Sequence, residues 1–272
     1  MSTFYNRTRI SRSIPQKLLR HGRLLELPLY YLLRSSDLAR EGLENSGSYL
    51  FADHIYRNLP SGCGAFGCWL DARLLAMPAV RSFRNRYVAA SSELLAFLQQ
   101  RASSELDILS APSGIPRELM DAAQRFRASG GSLKNVRFHV LDLDPGVLSR
   151  AQLVAREHGI DLHLHCGDAF DADAYGGQFD YITCTGFGEF LDDLQLLQLF
   201  SLFHGLLRPG TTFFTSAMRR LRLSDYLLRL AELNVHYRSG ADLAMAVASV
   251  GFQSSETWTD EHGIQCFLRA RK

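Results

Sequence analysis

The sequence has little with which to build covalent or metal scaffolding. Its five cysteines, Cys63, Cys68, Cys166, Cys184 and Cys266, form no CxxC pair, and no histidine cluster stands at metal-ligand spacing, so no metal is expected. Cys63 and Cys68 share the stretch SGCGAFGCW. That stretch could be a disulfide or metal half-site, or simply small residues in a turn between helices, the reading a reducing compartment favours. No apolar run approaches the roughly 20 residues that span a bilayer, and no signal-peptide pattern opens the chain, so a cytoplasmic protein with no membrane partner is expected. An excess of one charge is missing as well. Lys and Arg number 30 against 28 Asp and Glu, a net charge of +2, which gives no electrostatic reason to expect a nucleic-acid partner. GxGxxG and a Walker A lysine are both absent, which argues against a dinucleotide pyrophosphate or a P-loop phosphate. Neither an internal repeat nor a low-complexity linker is present.

What remains is an ordinary globular composition, 46% hydrophobic and 21% charged over 272 residues, enough for one large domain with an attachment. Residues 1–101 read as helical, in stretches such as KLLRHGRLLELPLYYLLR and YVAASSELLAFLQQRA, broken by Pro15, Pro28, Pro60 and Pro78. The basic residues Arg7, Arg9, Arg12, Lys17, Arg20 and Arg23 alternate with apolar ones, as on a helix with a solvated face. A clustered apolar surface on this half would support a homodimer.

From residue 102 to 272 strand and helix signals alternate. LDILSA, VRFHVLDLD, LHLHCGD, FDYITCTG and TTFFTSAM are short apolar runs separated by helical stretches. This pattern predicts an α/β doubly wound, Rossmann-like, mostly parallel sheet with helices on both faces. GFQSSETW and GIQCFLRARK are close enough to close it with an antiparallel pair. The prediction is therefore a helical cap, 1–101, on a Rossmann-like domain, 102–272.

Ligands of such sheets bind beyond the carboxyl ends of the strands, so the strand-ending residues are the site candidates. The first loop, Asp107 to Gly114, supplies Ser110, Ala111, Ser113 and Gly114, small enough for close backbone approach. The second strand ends at Asp142, placed to accept the hydroxyls of a ribose, while Asp144 before Pro145 suits a helix cap. Asp168 and Ala169 follow the third strand, where an acid beside a backbone N–H can read adenine. His163 and His165 share one strand face and read as ordinary strand residues. After the fourth strand, Thr185 and Glu189 stand where a substrate would meet a cofactor. Glu189 suits a general base or a partner for a substrate ammonium, and equally a cap or surface acid before the next helix.

In order and spacing these landmarks resemble the class I S-adenosylmethionine (SAM) methyltransferases: the small-residue loop, the strand-two acid, the GDA, and FDYI followed by LRPG-T-FFTS. The resemblance covers Leu106 to Lys272. It implies that Asp107 to Gly114 hold the amino-carboxypropyl arm of SAM, Asp142 its ribose, and Asp168 with Ala169 its adenine. The first loop departs from the family pattern, acid-x-Gly-x-Gly-x-Gly. It reads DILSAPSG, with Gly114 alone kept. The segment SYLFADHIYRNLPSG with MPAVRSFRNRY looks like the cap of bacterial methyltransferase-like proteins and carries a polar cluster that includes Asp53, His54, Tyr56, Arg57, Asn58, Arg84, Asn85 and Arg86.

The resemblance implies methyl transfer to a small-molecule acceptor, with Glu189, Tyr56 and His54 as candidates for proton transfer or positioning. A general likeness to azetidine-2-carboxylate synthases, prompted by the altered loop, implies an alternative that needs SAM alone. There the arm cyclises and methylthioadenosine leaves, with Ser110, Ser113, Tyr175 and Thr185 against the arm. A SAM-binding protein without catalysis is the third reading.

Overall fold

The computed structural model describes residues 14–44, 49–101, 104–230 and 234–272. Of the basic stretch, Arg7, Arg9 and Arg12 lie outside the described residues. The chain divides into two compact units: 1–84 with 220–235, and 85–219 with 236–272.

The first unit is helical. It holds α1 (Ile14–Arg20), α2 (Glu26–Leu33), α3 (Asp37–Glu44), α4 (Tyr49–Arg57), α5 (Gly64–Leu75) and the start of α6 (Pro78–Gln100). The later helix α10 (Arg222–Leu230) clusters with them. Leu38, Ile55 and Leu75 form its small core, with Phe51, Tyr56 and Phe83 packed against it. Polar order comes from Asp71, which is fully buried and accepts from Ser36 Oγ (2.6 Å), Leu38 N (2.8 Å), His54 Nε2 (2.9 Å) and Ser61 N (3.1 Å). Burial pushes its carboxyl up, but these hydrogen bonds outweigh burial and hold it below the usual value. Cys63 and Cys68 are free thiols, both exposed, so the disulfide alternative for SGCGAFGCW falls.

The second unit is the sheet: β1 (Leu106–Ser110), β2 (Val136–Asp142), β3 (Leu162–Cys166), β4 (Phe179–Cys184), β5 (Leu207–Met218), β6 (Ser254–Thr259) and β7 (Gln265–Arg271). The strand order is β3-β2-β1-β4-β5-β7-β6, with β7 antiparallel to both its neighbours and the first five strands parallel. Every expected strand is present. The strand β5 starts at Leu207, so Arg208-Pro-Gly210 lies within it rather than forming a turn ahead of it.

Between the strands run α7 (Arg117–Ala128), α8 (Pro145–Glu157), α9 (Asp193–Leu206) and α11 (Gly240–Ser249). Their starts follow from sequence. Asp144 caps α8 through Gly146 N with Pro145 in the first turn, and Asp192 with Gln195, and Ser239 with Asp242, form capping boxes. One sheet face, with Leu109, Ile182, Cys184 and Phe213, packs on Leu199, Phe200 and Phe203 of α9 and Leu243 and Val247 of α11. On the other face α6 lies along the sheet, with Phe97 5.0 Å from Tyr181 and Arg269 Nη1 3.1 Å from Glu93 Oε2. The chain runs outward from β1 to β3 and resumes at β4 on the other flank of β1. In sheets of this kind ligands bind beyond such a reversal, here past the carboxyl ends of β1 and β4.

Among the described residues no helix is long and apolar enough to cross a membrane, and no group of three or more His, Cys, Asp or Glu is arranged to hold a metal ion.

Candidate cofactor and acceptor site

The loops at the reversal point are tied to one another through backbone and carboxylate. Ala111 N donates to Thr183 O (3.0 Å), binding the first loop to β4, and Ser113 N donates to Leu141 O (2.9 Å), binding it to β2. Gly114 has φ +52°, a conformation that favours glycine, and its N–H points at Asp142 Oδ2 at 3.0 Å. The other Asp142 oxygen accepts from Asp144 N (3.1 Å). A carboxylate has about four acceptor positions, and with Leu143 as a third backbone donor one remains for a hydroxyl. Burial pushes the Asp142 carboxyl above its usual value, while these backbone donors pull the other way.

After β3, Asp168 is exposed and accepts from Phe170 N (3.0 Å), and the ring of Phe170 lies 6.4 Å from that of Phe187 in the next loop. Tyr175 corrects an expectation. Its hydroxyl is buried and donates to Ala169 O at 2.7 Å, so it braces the GDA loop from behind and cannot face a bound arm or act as a catalytic group. Burial pushes that hydroxyl well above its ordinary value.

Beyond β4, Thr185 is half-buried and Glu189 is 5% exposed, in a short 3-10 turn, Gly188–Phe190. Glu189 is neither a cap, a role Asp192 takes, nor a surface acid. Its Oε1 stands 3.4 Å from Arg86 Nη1, and its carbonyl accepts from His236 N at 2.7 Å. Gly186, at φ +77°, lets the guanidinium of Arg86 approach, because a Cβ there would sit 2.5 Å from Nη1. Glu118, which the sequence reading passed over, joins this cluster from the first turn of α7. It is buried, accepts from Ser110 Oγ at 3.0 Å, and burial pushes its carboxyl up. An acid opening a helix reads as a dipole partner. Only its place eight residues after Ser110, just past the loop, hinted at the pairing.

Asp107 is a second correction. The strand alternation that turns Ser110 to one face turns Asp107 to the other. Asp107, Arg137, Asp180 and Arg208 are the second residues of β1, β2, β4 and β5, at the amino ends of the strands. There Asp107 accepts from Arg137 (2.6 and 2.8 Å), Arg208 (2.9 Å) and His139 (3.1 Å), while Arg208 also pairs with Asp180. Its carboxyl, held far below the usual range first by Arg137, is committed to this lattice and not to a ligand. His163 and His165 flank the same lattice, with His165 Nε2 3.0 Å from His139 Nδ1 and His163 stacked on His139 at 4.8 Å.

In the helical unit His54 Nε2 stands 2.9 Å from Asp71 Oδ2, and Tyr56 packs on Phe83 with ring centroids 5.6 Å apart.

Residues 119–210 match the family model of a methyltransferase domain. A possible exported protein of Bordetella parapertussis superposes with a TM-score of 0.74 at 19% identity, covering 100% of this chain and 97% of that one. Magnesium protoporphyrin IX methyltransferase from Synechocystis, with bound SAH, gives 0.57 at 15% identity over 87% of this chain and 100% of its own. An O-methyltransferase family protein of Burkholderia thailandensis gives 0.57 at 12% identity, over 94% and 70%. Among curated proteins, none matches this sequence. The sheet order, the domain match and these likenesses agree: the chain carries a domain of the class I SAM-dependent methyltransferase fold.

Proposed function

We propose that this protein is a SAM-dependent methyltransferase acting on a small-molecule acceptor. The observation that carries the proposal is the Asp142 carboxylate, fixed by Gly114 N and Asp144 N at the mouth of the reversal point with acceptor capacity to spare. The donors and acceptors around it fit SAM. Asp142 would take the ribose hydroxyls, Asp168 and the Ala169 N–H the adenine, and Ser110, Ala111, Ser113, Gly114 and Thr185 the amino-carboxypropyl arm. When bound, SAM supplies an electrophilic methyl on a cationic sulfonium, so the protein's task is to orient an acceptor, exclude water and manage one proton.

Glu189 is the residue for that proton or for a cationic acceptor, with Arg86 holding it in place. A near-neutral charge over the whole chain supports a small molecule over nucleic acid. The exposed Leu24, Leu25, Phe66 and Trp69 of the helical unit suit a homodimer.

Mass spectrometry of the protein incubated with SAM and a metabolite extract tests the reaction. S-adenosylhomocysteine together with a methylated product supports methyl transfer. Methylthioadenosine formed from SAM alone, above spontaneous breakdown, would replace it with cyclisation of the arm.

A further inference from the structure

The sheet face that packs on α6 becomes polar toward the ligand end of β4, β5 and β7. Thr183 pairs in register with Phe214, Ser216 with Phe267, and Met218 with Gln265, so Thr183, Ser216 and Gln265 all project from that face. Each is a diagonal neighbour of the next, about 8 Å apart at the backbone by strand spacing and rise. They are 2%, 2% and 0% exposed, yet Thr183 Oγ1, Ser216 Oγ, Gln265 Oε1 and Gln265 Nε2 have no hydrogen-bond partner among the described residues. On the opposite face of the same strand, Thr215 is equally buried and donates to Cys184 O at 2.7 Å. Leaving a buried hydroxyl or amide unpaired forfeits its hydration with nothing in return, and Val, Ala and Leu would fill these positions without that penalty. Four such atoms in one row need an occupant that pairs them.

We propose that Thr183, Ser216 and Gln265 form the acceptor subsite, and that its occupant presents an uncharged edge with a hydrogen-bond donor beside an acceptor, as in a carboxamide or lactam. Its role for an acceptor rests on the methyltransferase reading; its ligand chemistry does not. A carboxylate would leave Gln265 Oε1 unpaired, and an ammonium would leave Nε2 unpaired. A carboxamide pairs both, while the two hydroxyls rotate to donate or accept. Phe214 and Phe267, stacked at 6.3 Å on the same face, offer an apolar wall for a ring beside that edge.

The test is thermal unfolding of the full chain with S-adenosylhomocysteine present, titrated with benzamide or with benzoate. The expected result is a saturable rise in Tm with benzamide and at least a fivefold weaker response to benzoate. Gln265→Leu and Ser216→Ala should lose the benzamide response, bind S-adenosylhomocysteine as the wild type does, and unfold no earlier than it without a probe. Equal responses to the two probes, no response to either, or a benzamide response kept by Gln265→Leu would overturn the proposal. An earlier melting of both variants would also overturn it, showing structural groups paired by buried water. If Gln265→Leu does not fold, Thr183→Val takes its place. Failure of the wild type to bind S-adenosylhomocysteine would instead count against the methyltransferase reading, and the probe comparison then runs on the protein alone.

Discussion

Gly114 donates its backbone N–H to Asp142 across 3.0 Å, so this carboxylate joins the Ser113 N to Leu141 O bond in tying the loop after β1 to the end of β2. Removing it takes away one of the loop's anchors and the proposed ribose acceptor together. Two hydrogen bonds to a charged group are worth about 3 kcal/mol, so Asp142→Ala should weaken S-adenosylhomocysteine binding roughly 100-fold by calorimetry.

The same carboxylate gives a pH dependence. Burial raises its folded-state pKa, so it takes a proton at a pH above the usual ~3.9. Affinity for S-adenosylhomocysteine should fall as pH drops through that raised value, and the Asp142→Asn variant should show a flat profile over the same window.

Gly186 offers a test by a single methyl group. Alanine there must hold φ +77° and place a Cβ 2.5 Å from Arg86 Nη1, which displaces the guanidinium from Glu189. Breaking a buried ion pair from one side costs about 3–5 kcal/mol, with some relief where the loop can shift. Gly186→Ala should lower Tm by several degrees and kcat at least tenfold, with a smaller change in S-adenosylhomocysteine affinity. Glu189→Gln should likewise slow turnover more than it weakens cofactor binding, and equal loss of both would make Glu189 structural.

At the amino ends of the strands the ion lattice makes stability pH-dependent. Arg137, Arg208 and His139 hold the folded pKa of Asp107 below its unfolded value, so its contribution is complete above about pH 4 and is lost as pH falls further. The folded pKa of His139 is lowered too, first by burial, so its contribution is complete above about 6.5 and declines as pH falls through the folded value. Asp107→Asn should destabilise the sheet unit by roughly 2 kcal/mol at neutral pH, less than a fully buried pair because both arginines are partly exposed. S-adenosylhomocysteine affinity should be unchanged, since the lattice lies at the other end of the strands. Denaturant titrations at several pH values measure both effects.

His54→Ala should cost about 1–2 kcal/mol of stability through the lost hydrogen bond to Asp71, with SAM affinity and kcat as in the wild type. A kcat loss at unchanged stability would make His54 a catalytic residue.

β1, β4 and β5 were legible because parallel strands covered on both faces read as apolar runs, and the place of Asp142 followed from where the β2 run stops. The role of Asp107 was not legible. A one-residue offset within a five-residue strand decides which face a side chain takes, and the loop pattern alone does not fix that offset. Glu118, Ser216 and Gln265 escaped for a different reason. Each looks ordinary within its own helix or strand, and only the register between strands shows Ser216 and Gln265 sharing a face with Thr183. The sequence reading treated 102–272 as one stretch, whereas residues 220–235 cluster with the N-terminal helices, a long-range association with no local signal.

Calorimetric titration of the purified protein with S-adenosylhomocysteine, with Asp142→Ala and Asp107→Asn alongside, tests the cofactor site most directly. Saturable binding is expected for the wild type and Asp107→Asn, and binding weakened roughly 100-fold in Asp142→Ala. Equal affinity in the wild type and Asp142→Ala would contradict it.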